Sequence, residues 1–216
     1  GVLLYIQGFP TRRDSYLNLA LRWDRGLLCR VKQFNIVLAG VGGQGTLLAA
    51  EIIGAAAVRE GLNVRVSEIH GMAQRGGAVV SNVRIGDAVF SAAVLEGQAD
   101  VLVGFEPLET VRNLKSVSEK TLVIMNSEPV PPVELAANNL KYPSVEEVLA
   151  KIHVFTKKTI VVDAAKLAEK AGNRLAQNSV LLGALSAVEK FPLKAASVLA
   201  ALKELVPKKH VELNVR

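Results

Sequence analysis

Three features of the sequence predict an α/β fold built on a doubly wound, mostly parallel sheet. Short apolar runs rich in β-branched residues recur along the chain. Stretches of helical periodicity separate them, and glycine-bearing turns mark the junctions.

Phe34–Ala39 (F-N-I-V-L-A) reads as a buried strand. Gly40-Val-Gly-Gly-Gln-Gly45 follows, then Thr46–Glu60, rich in Ala, Leu and Ile at helical spacing and closed by Gly61. Asn63–Ile69 is a second strand, His70–Gly77 a glycine-bearing loop, and Ala78–Ile85 a third strand. Gly86-Asp87 reads as a tight hairpin turn into a strand over Ala88–Ala92. Val101–Phe105, Thr121–Met125 and Thr159–Val162 complete the strands. A helix starts near Pro107, where proline suits the first helical position, and residues 164–171, 176–190 and 194–205 read as further helices. The segment from Pro129-Val-Pro-Pro132 to Pro143 is expected to be a long surface loop or lid. The sum is a Rossmann-like sheet with helices on both faces and one antiparallel hairpin.

Composition narrows the function. The 216 residues are 50% hydrophobic and 21% charged, and mean hydropathy is +0.29, which excludes disorder as the overall state. Aromatics make up 5%, too few for a module that stacks nucleic-acid bases. The net charge of +6 is concentrated at the start. Residues 1–33 hold six basic and two acidic groups, and the remainder is nearly neutral, so no nucleic-acid partner is indicated. Cys29 is the single cysteine, so neither an internal disulfide nor an iron–sulfur or structural zinc site is expected on this chain. Three scattered histidines offer no metal cluster. No apolar run is long enough to span a membrane, and Arg12, Arg13 and Asp14 follow Gly1–Ile6 too soon for a signal peptide. A cytoplasmic location is the expectation.

Three regions are expected. Residues 1–33 form an appendage, with Ser15–Leu28 a short helix or part of a mobile extension. Residues 34–206 form the main domain and 207–216 a tail.

Two loops carry the candidate chemistry. The first is Gly40, Gly42, Gly43, Gln44 and Gly45, set between a strand and a helix, with Thr46 either capping that helix or reaching a phosphate. Glycines let backbone N–H groups approach an anion at the positive end of a helix. The alternative is a loop that only turns the chain. Glu68 is the one acidic residue placed to bind a ribose, and it sits further along than that role requires. The second loop comprises His70, Gly71, Met72, Gln74, Arg75, Gly76 and Gly77 at the C-terminal edge of a strand, where open α/β sheets bind ligands. His70 offers a titratable ring, although no nearby carboxylate pattern orients it; hydrogen bonding to the loop backbone is the alternative. Arg75 suits an anionic ligand or an inter-subunit ion pair, and Met72 a partner surface. Asp163 reads as a helix N-cap. No residue is assigned as catalytic.

Together, Gly40–Gly45 and Glu68-Ile-His-Gly-Met-Ala-Gln-Arg-Gly-Gly-Ala-Val-Val-Ser-Asn-Val-Arg-Ile-Gly86 resemble the gamma-type domain of 2-oxoacid:ferredoxin oxidoreductases. The His-Gly-Met-x-Gln-Arg-Gly-Gly form is similar to the small (beta) subunits of the indolepyruvate branch. Ala99–Gly104, Tyr142-Pro143 and Asn178–Gly183 agree in order and spacing. The resemblance spans about residues 34–206. It implies oxidative decarboxylation of an aryl 2-oxoacid to an acyl-CoA thioester and CO2, with electrons passed to ferredoxin. It also implies that thiamine diphosphate and the iron–sulfur clusters sit on a large (alpha) subunit, and that coenzyme A is a co-substrate of the complex. The isolated chain is then inactive and able to form a homodimer. In that picture the His70–Gly77 loop faces the large subunit. Competing readings are a stand-alone NAD(P)- or flavin-dependent oxidoreductase, a partner serving assembly alone, and a gamma subunit for pyruvate or another 2-oxoacid.

Overall fold

The computed structural model describes residues 33–71, 76–131 and 141–215. The expected helix within 15–28, Cys29, residues 72–75 of the second glycine loop and residues 132–140 of the proline-rich segment lie outside that set.

Among the described residues, six strands form one sheet: β1 (Phe34–Val41), β2 (Asn63–His70), β3 (Ala78–Gly86), β4 (Val101–Gly104), β5 (Leu122–Asn126) and β6 (Thr159–Val162). Their order is β2-β3-β1-β4-β5-β6. β1, β4, β5 and β6 run parallel, while β3 is antiparallel to both β1 and β2. The helices are α1 (Thr46–Arg59), α2 (Pro107–Arg112), α3 (Val145–Phe155), α4 (Ala164–Ala171), α5 (Gln177–Ser186), α6 (Ala195–Leu205) and α7 (Lys208–Val215).

Strand β1 is buried along its whole length, as its continuous apolar run requires. Its side chains alternate between two cores. Ile36 and Leu38 join Ile52 and Ile53 of α1, Leu181 and Leu185 of α5, and Leu202 of α6. Val37 and Ala39 join Leu102, Val123 and Met125 of the sheet with Val148 and Ile152 of α3. Helices therefore cover both faces, as expected. Truncating a fully buried residue such as Ile36 or Ile53 to alanine removes about 2–5 kcal/mol.

The antiparallel hairpin lies elsewhere than the Gly86-Asp87 turn suggested. It joins β2 to β3 across the His70–Gly77 loop, with Asn63 opposite Gly86 and His70 opposite Val79. Ala88–Ala92 forms no strand. The reason is edge capacity, since β3 already has β2 on one side and β1 on the other. The segment is held by side chains instead. Arg84 donates to the carbonyls of Ser91 and Ala93, both at 3.1 Å, and Gln33 Nε2 donates to the Ala88 carbonyl at 2.9 Å.

Helix α3 is an element the sequence reading did not anticipate. It begins with a capping box, in which the Ser144 hydroxyl accepts from the Glu147 N–H at 3.2 Å and the Glu147 carboxylate from the Ser144 N–H at 2.7 Å. Residues 207–216, set apart as a tail, contain α7.

Candidate functional site

The parallel strands end on one edge of the sheet, and the direction of winding changes between β1 and β4. Ligands of open α/β sheets bind in the crevice at such a point. The first glycine loop leaves β1 there.

Gly45 stands at the N-cap of α1 with φ of 80°, and no side chain caps the helix. A Cβ at Gly45 would sit 2.7 Å from the Asn178 amide nitrogen, so glycine is required both by dihedral and by contact. Thr46 therefore does not cap α1; it occupies the first helical position and is buried. Asn178 holds its carboxamide in place by accepting its neighbour Ser179 N–H at 2.9 Å. Gly42 and Gly43 form the turn that precedes the helix.

Gln44 points inward. Its Oε1 accepts the Val41 N–H at 2.8 Å and its Nε2 donates to the Phe105 carbonyl at 3.0 Å. Both ends of the carboxamide are thereby used to tie the end of β1 to the end of β4. Of the loop's named candidates, Gln44 is thus a clamp.

The two loops singled out by sequence meet. Gly42 N–H donates to the Gly77 carbonyl at 2.9 Å, and Gly76 N–H donates to the Gly42 carbonyl at 3.5 Å. Gly71 N–H donates to Ala78 O at 2.9 Å, closing the base of the second loop. Met72, Gln74 and Arg75 lie outside the described residues.

His70, half-exposed at the end of β2, has the orienting carboxylate that the sequence reading did not find. Its Nε2 is 3.0 Å from Glu68 Oε2, and Glu68 Oε1 lies 3.5 Å from the Ser81 hydroxyl. The signal was present, because residues i and i+2 of a strand share a face. This pairing also removes Glu68 from a ribose-binding role. β3 intervenes between β1 and β2, so Glu68 stands two strands from the first glycine loop and is committed to His70.

The other half of the strand ends is closed by internal bonds. Glu106, after β4, is 1% exposed and caps α2. Its Oε2 accepts the Glu109 N–H at 2.8 Å, while its Oε1 accepts the Val130 N–H at 3.3 Å and the Tyr142 hydroxyl. One carboxylate thus grips both ends of the segment between 131 and 141. Burial, reinforced by Glu106, pushes the Tyr142 hydroxyl well above its ordinary range, which keeps its proton on the donor side of this bond. Asn126, fully buried at the end of β5, donates to the Phe105 carbonyl at 3.2 Å and to Gln177 Oε1 at 3.0 Å. Its Oδ1 accepts the Ala164 N–H at 3.2 Å. Gly104 admits no side chain, since a Cβ would lie 1.7 Å from Thr110 Oγ1. The sequence reading assigned no role to Glu106 or Asn126, whose long-range partners are 21 to 51 positions away.

Asp163 caps α4 as expected, with Oδ1 accepting the Lys166 N–H at 3.0 Å. Among the described residues, no three His, Cys, Asp or Glu side chains converge as a metal site, and no helix is long and apolar enough to cross a membrane. An apolar groove of about 650 Å3 lies between α4, α5, α6 and α7 and includes no residue of either glycine loop.

Comparison with known proteins supplies the context. The sequence profile of the pyruvate ferredoxin/flavodoxin oxidoreductase family matches residues 35–216. Indolepyruvate oxidoreductase subunit IorB of Pyrococcus horikoshii is 44% identical over 187 residues, covering 86% of this chain and 93% of that protein. The pyruvate oxidoreductase subunit PORC of Thermotoga maritima, a crystal structure, superposes with a TM-score of 0.62 at 24% identity, over 85% of this chain and 92% of that one. A 2-oxoglutarate:ferredoxin oxidoreductase from Magnetococcus marinus, solved with 2-oxoglutarate, coenzyme A and succinyl-CoA, gives a TM-score of 0.60 at 22% identity. That match covers 85% of this chain and 29% of the other. At these identities the two structures establish the fold.

Proposed function

This chain belongs to the pyruvate ferredoxin/flavodoxin oxidoreductase family and is a subunit of a 2-oxoacid:ferredoxin oxidoreductase; from that premise we propose that it serves the oxidation of aryl 2-oxoacids of the indolepyruvate type. The complex converts the oxoacid and coenzyme A to an acyl-CoA thioester and CO2, and passes two electrons to ferredoxin. Identity of 44% to an indolepyruvate oxidoreductase subunit, against 32% to a pyruvate/ketoisovalerate gamma subunit from Pyrococcus abyssi, supports this branch.

A large thiamine-dependent subunit is the proposed partner and the seat of the resident cofactors. The residues of this chain do not suit an iron–sulfur cluster, because its single cysteine falls short of the several thiolates a cluster requires. No step of the chemistry is therefore assigned to a cofactor on this chain.

The contribution proposed for this subunit is positioning. In the Gly40–Gly45 loop the N–H groups of Val41, Gly42 and Gln44 hold the loop together, and those of Gly43 and Gly45, at the start of α1 with the Asn178 amide beside Gly45, are the ones proposed for the phosphates of coenzyme A. The His70–Gly77 loop faces the large subunit, with Arg75 holding an anionic group of coenzyme A or the substrate carboxylate. The single observation that carries this reading is the direct bonding of the two glycine loops, Gly42 N–H to Gly77 O, at the switch point of the sheet. The test is Arg75→Ala in the co-expressed complex. We expect KM for the oxoacid or for coenzyme A to rise about tenfold, the loss of one charge-assisted hydrogen bond. Unchanged constants for both, in an intact complex, would remove Arg75 from the site.

A further inference from the structure

The end of β2 carries a chain of polar side chains that packing alone does not call for. Even-numbered residues of this strand share one face, and Val64 and Val66 set that face against α1, where Val66 Cγ2 lies 3.6 Å from the position of a Cβ on Gly54. Glu68 and His70 continue the row toward the crevice. Ser81, fully buried on β3 and in register with Glu68, has its hydroxyl 3.5 Å from Glu68 Oε1, and Glu68 Oε2 holds His70 Nε2 at 3.0 Å. A pair this near solvent on an edge strand adds little stability. What it supplies is orientation. The bond to Glu68 puts the imidazole proton on Nε2 and leaves Nδ1, without a partner among the described residues, as a proton acceptor on a half-exposed ring.

Register fixes where this acceptor stands. Gly40 and His70 both lie opposite Val79, so His70 is two strand spacings, about 10 Å, from the start of the first glycine loop. Gly40 shares the α1 face, since Ile36 and Leu38 on the same side of β1 pack into the core with α1. The histidine and the N-terminal end of α1 thus border one crevice. The reaction of the complex asks for such a group. Converting an oxoacid anion and coenzyme A to acyl-CoA and CO2, with two electrons passed to ferredoxin, releases one proton, and that proton is the one on the thiol.

On the reading that this crevice receives coenzyme A, we propose that His70 is the base that takes the thiol proton. The S–H bond breaks, the proton moves to His70 Nδ1, and the sulfur electron pair forms the C–S bond to the acyl carbon. The two electrons released by the oxidation go to ferredoxin. The imidazolium is stabilised by Glu68 and returns the proton to solvent from its exposed side. Glu68 is then a positioning residue, and Ser81 holds Glu68 in place. The charged side chains about the ring are Glu68 on its own strand, Arg75 in the loop that follows, and Glu51 and Arg59 on α1, which packs against β2.

The experiment compares wild type, His70→Asn, Glu68→Gln and Asn178→Ala in the co-expressed complex from about pH 7 to about 9.5. Three quantities are read: kcat/KM for coenzyme A, the inhibition constant of desulfo-coenzyme A, which lacks the thiol, and single-turnover CO2 release without coenzyme A. His70→Asn should lower kcat/KM for coenzyme A at least tenfold at pH 7, and the loss should shrink as alkaline pH supplies thiolate without a base. Carboxylates and guanidinium groups ordinarily keep their charge across this range, so the recovery reports the thiol. Desulfo-coenzyme A inhibition and CO2 release should stay at wild-type values in His70→Asn. Glu68→Gln should show a smaller loss with the same recovery. A His70→Asn loss that is constant with pH, a loss matched by desulfo-coenzyme A or by CO2 release, or no loss at all overturns the assignment. Asn178→Ala tests coenzyme A binding at the crevice on its own and should raise the desulfo-coenzyme A constant about tenfold. An unchanged constant there removes the phosphate site; a raised constant beside an overturned His70 result removes the base alone.

Discussion

The strand ends divide into a closed half and an open half. Around β4 and β5, Gln44, Glu106, Asn126 and Tyr142 spend their polar atoms on one another and on the backbone. Around β1 and the β2–β3 hairpin, two glycine loops touch through backbone groups, and His70 stands half-exposed beside its carboxylate. Closed, buried networks build rigidity, whereas a half-exposed ring and a glycine turn at a crevice are accessible to ligand. The difference separates residues committed to the scaffold from those proposed to serve function, although all of them lie on the same edge of one sheet.

Substitutions can break that division, beginning in the closed half. Gly104→Ala forces a methyl group onto Thr110, whose hydroxyl donates to the Glu106 carbonyl at 2.8 Å, and should cost about 3 kcal/mol or more. The denaturant midpoint, or failure to accumulate folded protein, reads it. Glu106→Ala leaves the N–H groups of Glu109 and Val130 and the Tyr142 hydroxyl without their acceptor. A loss of about 2–4 kcal/mol is expected, measured by urea unfolding, with Glu106→Gln losing less.

His70→Asn tests the open half. Stability should shift by less than about 0.5 kcal/mol, because the ring is half-exposed. The kcat/KM of the complex for coenzyme A or oxoacid should fall roughly tenfold. A stability loss as large as that of Glu106→Ala, with turnover intact, would erase the distinction between the halves.

The smallest effect concerns Glu109, which is buried with one carboxylate oxygen lacking a partner. Burial raises its pKa, against the opposing pull of Arg112. The folded state therefore binds this proton more tightly than the unfolded chain does. Its contribution to stability is greatest below the ordinary glutamate range and declines as pH rises through the raised pKa. Glu109→Gln should flatten that decline and raise Tm slightly at pH 7, with no gain at pH 4. Parallel pH–Tm curves for wild type and variant would contradict this.

Much of this architecture was legible in the chain because it is local. The apolar run of β1, the glycine turn, Pro107 at a helix start and Asp163 at a cap each state their structure within a few residues. Gly86-Asp87 misled for the opposite reason: turn chemistry is local, but the number of free edges on β3 is not. Helix α3 was overlooked beside the prolines, although Ser144 and Glu147 spell a capping box and Val145, Val148, Leu149 and Ile152 have helical spacing. The Glu68–His70 pair was readable from strand periodicity alone. Glu106 and Asn126 were not, since their meaning lies in partners that only the folded chain brings near.

The most direct measurement is 2-oxoacid-dependent, coenzyme A-dependent reduction of ferredoxin by the purified chain, before and after addition of its large subunit. An oxidoreductase subunit that positions but does not house the redox centres should show no reduction alone and full turnover once the partner is supplied. Reduction by the lone chain, or iron and thiamine diphosphate retained on it in stoichiometric amount, would contradict that assignment.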